Sequence, residues 1–275
     1  PEFKIRYVFV TYATDLVDNA RVFQWPLGVA TYRGFPTPDI TAAAAAAAAA
    51  PPPDSATYLC NFFGTMYGNS SREELVRALE RDRTLAAECV VQPRREWLPK
   101  ETDDTRERYI AALRSSVFTL SPAGLNTECY RWLEAAAYGS TPVIEDVRKP
   151  ATCGDPLRLV RDAGAPFLYV SNWTTDLVPL LRRFAHQSAK ARQQRREEVV
   201  RWYNEYRATP RVRCLSAIHR LPHAAGVPRK LAAGARGVAY DRTTRPLPPR
   251  PPANKCRLTD PSSPPRTTLR RPRPP

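Results

Sequence analysis

Phe118-Thr119-Leu120-Ser121-Pro122-Ala123-Gly124-Leu125-Asn126-Thr127-Glu128-Cys129-Tyr130-Arg131-Trp132-Leu133-Glu134-Ala135-Ala136-Ala137-Tyr138-Gly139-Ser140-Thr141-Pro142-Val143-Ile144-Glu145-Asp146 is the stretch that decides the fold. It reads as an apolar strand at 117–120, a loop holding Gly124, a helix over 127–138 stopped by Gly139, and a second strand at 141–144. In an open α/β sheet a ligand sits beyond the carboxyl ends of the strands, and a helix that starts after a glycine loop aims free N–H groups at a phosphate. Gly124 permits close approach of the backbone, Asn126 and Thr127 occupy the expected cap, and Arg131 reaches a diphosphate with a planar fork of donors. Glu128, Arg131 and Glu134 stand at i, i+3 and i+6 and can share one helix edge, where a carboxylate such as Glu134 could accept both hydroxyls of a ribose. Taken alone, the same three charges also fit a solvated run of surface ion pairs.

Working outward, the pattern repeats. Residues 58–63 form a short apolar strand ending at Gly64, and 71–81 form a helix with Ser70 or Ser71 as cap and Glu73 and Glu74 in its first turn. Residues 89–92 are a strand, and Thr102 or Asp103 caps a helix reaching Arg114. Residues 167–170 are a further strand, followed by helices over 176–185 and 190–206. Strands of four to six residues alternating with helices predict βαβ units, hence a Rossmann-like parallel sheet with helices on both faces over residues 54–206. The first strand runs into Gly64-Thr65-Met66-Tyr67-Gly68, which is not the G-x-G-x-x-G of a dinucleotide dehydrogenase.

The flanks differ in character. Residues 1–41 hold a strand at 4–12 and an aromatic, Gly-punctuated crossover at 23–35; residues 42–53 are nine alanines and three prolines, a low-complexity linker. From Arg207 to Pro275 there are 16 Lys and Arg against 2 Asp and Glu, which is +14 of the chain's +15, so the basic character belongs to a Pro/Arg-rich tail. Clustered arginine binds phosphate whatever the sequence, but this composition also fits a plain unfolded extension, and we expect no nucleic-acid partner. No apolar run approaches the ~20 residues of a membrane span. The chain starts without Met and reads as part of a longer protein. Six cysteines show no zinc spacing, and N-x-[ST] sequons stand at Asn69 and Asn172.

The pattern F-x-L-x-P-x-G, followed by an arginine and Glu-Ala on a helix and then G-x-x-P-V-I, resembles the exostosin-type glycosyltransferase signature, whose glutamate lies in the donor nucleotide pocket. Residues 17–33, together with Asn126-Thr127-Glu128-Cys129-Tyr130-Arg131, Tyr58-Leu59-Cys60-Asn61-Phe62, Asn69-Ser70-Ser71-Arg72, Gly164-Ala165-Pro166-Phe167 and Trp202-Tyr203, are similar to the ribitol-phosphate xylosyltransferase family within that group. The resemblance runs from about 16 to 206 and favours the ligand reading of the helix charges. It implies the donor half of a GT-B-like enzyme that moves xylose from UDP-xylose to ribitol phosphate on the O-mannosyl glycan of α-dystroglycan. It further implies a Golgi type II membrane protein with a lumenal catalytic part, whose other partners are Golgi glycosyltransferases of the same pathway. The candidate donor-binding residues are Gly64, Gly124, Asn126, Thr127, Glu128, Arg131, Glu134 and Glu145.

No catalytic base is assigned; Asp18 is the one candidate on the acceptor side, with a turn role as its alternative. Glu145 and Asp146 could bind a divalent cation or cap the next turn. A catalytically silent carbohydrate- or nucleotide-sugar-binding scaffold is the competing class. An oxidising lumen, implied by the resemblance, leads us to expect disulfides, with Cys60 and Cys89 on successive strands as neighbours. The sequence after Arg207 departs from the family pattern, and residues 42–53 and those beyond 221 are expected to lack a fixed conformation.

Overall fold

A computed structural model describes residues 5–12, 14–36, 58–96, 101–124, 127–147 and 155–219, with residues 210–219 described by their backbone alone. Five parallel strands make the main sheet: β3 (Tyr58–Thr65), β4 (Cys89–Arg94), β5 (Ser116–Ser121), β6 (Thr141–Glu145) and β7 (Leu168–Val170), in the order β4-β3-β5-β6-β7. Two short strands, β1 (Val8–Val10) and β2 (Val22–Gln24), pair in parallel as a separate ribbon. The helices are α1 (Ser71–Glu80), α2 (Arg83–Ala87), α3 (Asp103–Ser115), α4 (Tyr130–Ala137), α5 (Arg158–Asp162), α6 (Trp173–Ala185) and α7 (Ala189–His219).

Burial explains why these segments pair. Every residue of β5 is buried, as a central strand covered on both faces requires. Leu75 and Leu79 of α1, Leu85 of α2, and Leu177 and Leu181 of α6 pack with Leu59 and Phe118 on one face. Leu113 of α3, Trp132 and Leu133 of α4, Val160 of α5, and Val199, Trp202 and Tyr203 of α7 pack with Ile144 on the other. The expected doubly covered α/β sheet is therefore the observed one.

Several expectations on boundaries are corrected. The helix predicted over 127–138 starts at Tyr130, and its N-cap, expected at Asn126 or Thr127, falls at Cys129, with no side-chain cap bond. Ser70 is the N-cap of α1 but its hydroxyl donates to the Tyr67 carbonyl instead of capping the helix. Two five-residue helices, α2 and α5, and the strand β2 within the crossover were not anticipated. The last helix does not stop at Tyr206 but continues to His219, so residues 207–219 are helical. Gly139 ends α4 as expected, with φ 81°, and a Cβ there would stand 2.5 Å from Arg196 Cγ. Arg196 is a buried clamp whose guanidinium donates to the carbonyls of Tyr138 at 2.9 Å and Ser116 at 3.1 Å, with burial pulling its pKa down to about 10. The expectations on 42–53 and beyond 221 lie outside the described residues.

Cys60 and Cys89 are register partners across β3 and β4, with Cα atoms 4.6 Å apart, and are joined as a disulfide. Alkylating the denatured but unreduced protein is expected to leave Cys60 and Cys89 in one cross-linked peptide that separates only after reduction. Alkylation of both without reduction would refute the bond.

Candidate functional site: two buried arginines at the strand reversal

Strand order reverses between β3 and β5, because the chain leaves β3 for β4 on one side and returns to β5 on the other. The carboxyl ends of strands flanking such a reversal open a crevice suited to a ligand. Two guanidinium groups meet there. Arg131 Nε donates to the Phe63 carbonyl at 3.0 Å, and its Cζ lies 5.2 Å from the centre of the Phe62 ring. Arg72 Nη1 donates to the Thr65 carbonyl at 2.6 Å, and its Cζ lies 5.0 Å from the Tyr67 ring centre. Arg131 is 9% exposed and Arg72 8% exposed, so neither is a solvated surface charge.

Each arginine is the second residue of its helix, Arg131 in α4 and Arg72 in α1. A cation in a first turn opposes the helix dipole, and two buried cations repel each other, so the arrangement is costly until an anion joins it. Burial first, and the charge of Arg131 second, lower the Arg72 pKa. Among the described residues neither guanidinium has a carboxylate within ion-pair distance. Gly64 is what lets Arg131 stand so close to β3: a Cβ there would lie 2.8 Å from Arg131 Nη2 and 3.0 Å from the Phe62 ring. Cys129 borders the pair, its Sγ 3.6 Å from Arg131 Nη1 and 3.3 Å from Ser121 Oγ.

The remaining predicted residues take other places. Gly124 and Thr127 are half-buried in the loop before α4, and Asn126 lies outside the described residues. Glu145, expected to face the donor or a cation, accepts from Ser71 Oγ at 2.9 Å, the Ala123 N–H at 3.0 Å and Trp173 Nε1 at 3.1 Å. It therefore latches the post-β5 loop, α1 and α6 together. Asp146 pairs with Arg161 at 2.8 Å, so these two carboxylates are committed to the protein and do not fit a cation site.

Glu134 is buried in α4. Its Oε1 accepts from the Ala30 N–H at 3.0 Å and its Oε2 from the Tyr109 hydroxyl at 2.9 Å, so the ribose contact expected of it would share oxygens already in use. Burial raises its pKa, with Ala30 and Tyr109 acting in the opposite direction. Glu128 precedes the helix, so the shared edge expected of Glu128, Arg131 and Glu134 does not form. Its Oε1 accepts from Gln24 Nε2 at 3.0 Å, and it borders a void of about 10 Å³, room for no more than one water. Asp18 accepts from the N–H groups of Ala20, Arg21 and Val22, and these bonds hold its carboxyl at about 2, so it is a turn residue and a poor base.

Arg72, Tyr109, Gln24 and Trp173 were not anticipated. For Arg72 a signal existed: an arginine in the first turn, where the dipole disfavours it. For the other three none did, because their partners lie 25 to 104 residues away in the chain.

Comparison with known proteins follows the same outline. The profile for the RXYLT1 C-terminal domain matches residues 32–221, which also corrects the expectation that family likeness ends near Arg207. Ribitol-5-phosphate xylosyltransferase 1 of Danio rerio is 44% identical over 204 residues, covering 73% of this chain and 45% of its own. The Homo sapiens protein of that name is 38% identical over 210 residues, covering 74% and 45%. The chain thus spans about half the length of the curated relatives it matches. Among solved structures, the UDP-forming α,α-trehalose-phosphate synthase from Burkholderia vietnamiensis aligns with a TM-score of 0.43 at 16% identity, over 73% of this chain and 52% of that one. WaaG, a glycosyltransferase of lipopolysaccharide biosynthesis, aligns with a TM-score of 0.43 at 14% identity, over 71% and 56%.

Proposed function

The chain belongs to the RXYLT1 C-terminal domain family, and from that premise we propose that it is the donor-binding half of a GT-B-like xylosyltransferase that uses UDP-xylose. The observation that carries this reading is the pair Arg72 and Arg131, two buried cations that have no ion-pair partner among the described residues and stand where the strand order reverses. A diphosphate supplies two adjacent negative charges to such a pair, and guanidinium forks match its oxygens. The same pair then serves the reaction, because transfer from a nucleotide sugar leaves a nucleoside diphosphate whose developing charge the arginines stabilise without moving.

The acceptor is proposed to be ribitol phosphate on the glycan of α-dystroglycan, met in the Golgi lumen. The curated relatives are named for ribitol-5-phosphate and xylose, and the Cys60–Cys89 disulfide fits an oxidising compartment. No residue of the described chain is assigned as base, since Asp18 is held ionised by its turn and Glu128 and Glu134 are enclosed. In a two-domain transferase the acceptor and its base lie across the cleft from the donor.

Calorimetric titration of the chain with UDP, UDP-xylose and UDP-glucose tests the reading. UDP and UDP-xylose are expected to bind with similar affinity, because the arginines address the part common to both. A cooperatively folded chain that binds no UDP would overturn it.

A further inference from the structure

We propose that Asn172 carries an N-linked glycan, an inference that rests on the lumenal reading of the compartment. Two sequons stand in the sequence, and the fold treats them differently. Asn69 has a left-handed backbone, φ 53°, in the turn that enters α1, three residues before Arg72, and its N–H donates to Glu73 at 2.8 Å. A glycan there would stand at the rim of the arginine crevice. Asn172 instead follows β7, an edge strand two places from β5.

The geometry of Asn172 suits the modification in detail. The residue is exposed, as are Ser171, Thr174 and Thr175 around it. As N-cap of α6 it uses only its carbonyl oxygen: Oδ1 accepts from the N–H of Thr174 at 2.8 Å and of Thr175 at 3.2 Å. The backbone N–H of Asn172 donates to Asp176 at 2.9 Å, which fixes the turn independently of the side-chain nitrogen. Nδ2 makes no hydrogen bond within the described residues, so a glycan can be attached there while the cap is kept. Trp173, the middle residue of the sequon, is 1% exposed and donates to Glu145, so the fold withdraws it from the glycan's path.

The chemistry is a group transfer from a polyprenyl-diphosphate oligosaccharide supplied by the secretory pathway. A bond forms between Nδ2 and C1 of the first sugar, the C1–O bond to the diphosphate breaks, the polyprenyl diphosphate departs, and Nδ2 releases one proton. Transfer needs only the N-x-T triplet on the emerging chain, and the fold then has to tolerate the product. The Cys60–Cys89 disulfide is the independent feature that suits the same compartment.

The test is translation of the full chain behind a cleavable secretion leader in the presence of microsomes, with protease protection scoring entry into the lumen. Protected chains are expected to gain mass that peptide-N-glycosidase removes, and peptide mapping is expected to place it on Asn172. Thr174→Ala removes the sequon but keeps both Asn172 and the backbone donor, so it should lose the added mass and retain the melting temperature. Asn172→Asp, which keeps the cap, should behave alike. Protected chains that stay unmodified at Asn172, or that carry a glycan on Asn69 alone, overturn the proposal. Because the leader imposes the compartment, such a result leaves the Golgi reading of the natural protein standing, and that reading is tested separately by locating the full-length protein.

Discussion

Arg72→Gln is expected to weaken binding of UDP and of UDP-xylose alike, by about 10- to 150-fold, corresponding to roughly 1.5 to 3 kcal/mol for one charge-assisted contact. The expectation follows from the environment of the side chain. Arg72 donates from Nη1 to the Thr65 carbonyl, its Nε has no hydrogen-bond partner among the described residues, and it is buried beside a second cation. A buried cation with unused donors is worth most to an anion and least to the free protein. Arg131→Gln should lose affinity to a similar degree but also destabilise the chain, because Arg131 anchors to the Phe63 carbonyl and fills the space above Gly64. Arg72→Gln loses the bond to the Thr65 carbonyl but relieves like-charge repulsion, so its melting temperature should change little while affinity falls. Measuring both quantities on both variants separates a ligand site from a structural clamp: unchanged UDP affinity in Arg72→Gln, with the fold intact, would remove the diphosphate assignment.

How far the sequence revealed this site depends on the range of each interaction. The strand, glycine loop, helix and strand around Gly124 were legible because periodicity and a glycine stop are local, and so was the neighbourhood of Cys60 and Cys89, since successive strands of a βαβ unit tend to pair. Arg131 was legible as a helix-start arginine. Its burial was not, because that depends on Gly64 and Phe62, which the fold brings in from some seventy residues away. The roles of Glu128 and Glu134 were read from a helix edge they do not share. A helix that begins at Tyr130 leaves Glu128 outside it, and the partners of both come from the segment around Gln24 and Ala30, which carries no periodic signal. Helices of five residues such as α2 and α5 escape periodicity altogether, since one turn and a half presents no repeating face.

Glu128→Gln is expected to flatten the pH dependence of stability and to make the chain more stable than the parent at pH 8. Burial raises the Glu128 carboxyl from 4.5 to about 8, against the opposing pull of its bond from Gln24. In that window the folded chain holds a proton that the unfolded chain has lost, so the stability Glu128 contributes is fully present below about 4.5 and is lost as pH rises through about 8. The slope is at most about 1.4 kcal/mol per pH unit, which sets an upper bound of roughly 4 kcal/mol between pH 5 and 8. A carboxamide is neutral throughout and still offers Gln24 an acceptor oxygen. Parent and variant should therefore denature at similar urea concentrations at pH 5 and diverge toward pH 8. Glu134, also raised by burial, adds its own slope to both chains, so the difference between them isolates Glu128. The effect has a direct path to the proposed donor site, because Arg158 Nη2 donates to Gln24 Oε1 at 3.0 Å while Gln24 donates to Glu128, just before the helix that carries Arg131. Ionising Glu128 places an uncompensated charge in that enclosure and loosens the N-terminal segment from α4. Parallel stability curves for the two proteins across pH 5 to 8 would show that Glu128 is ionised in the fold and that this coupling is absent.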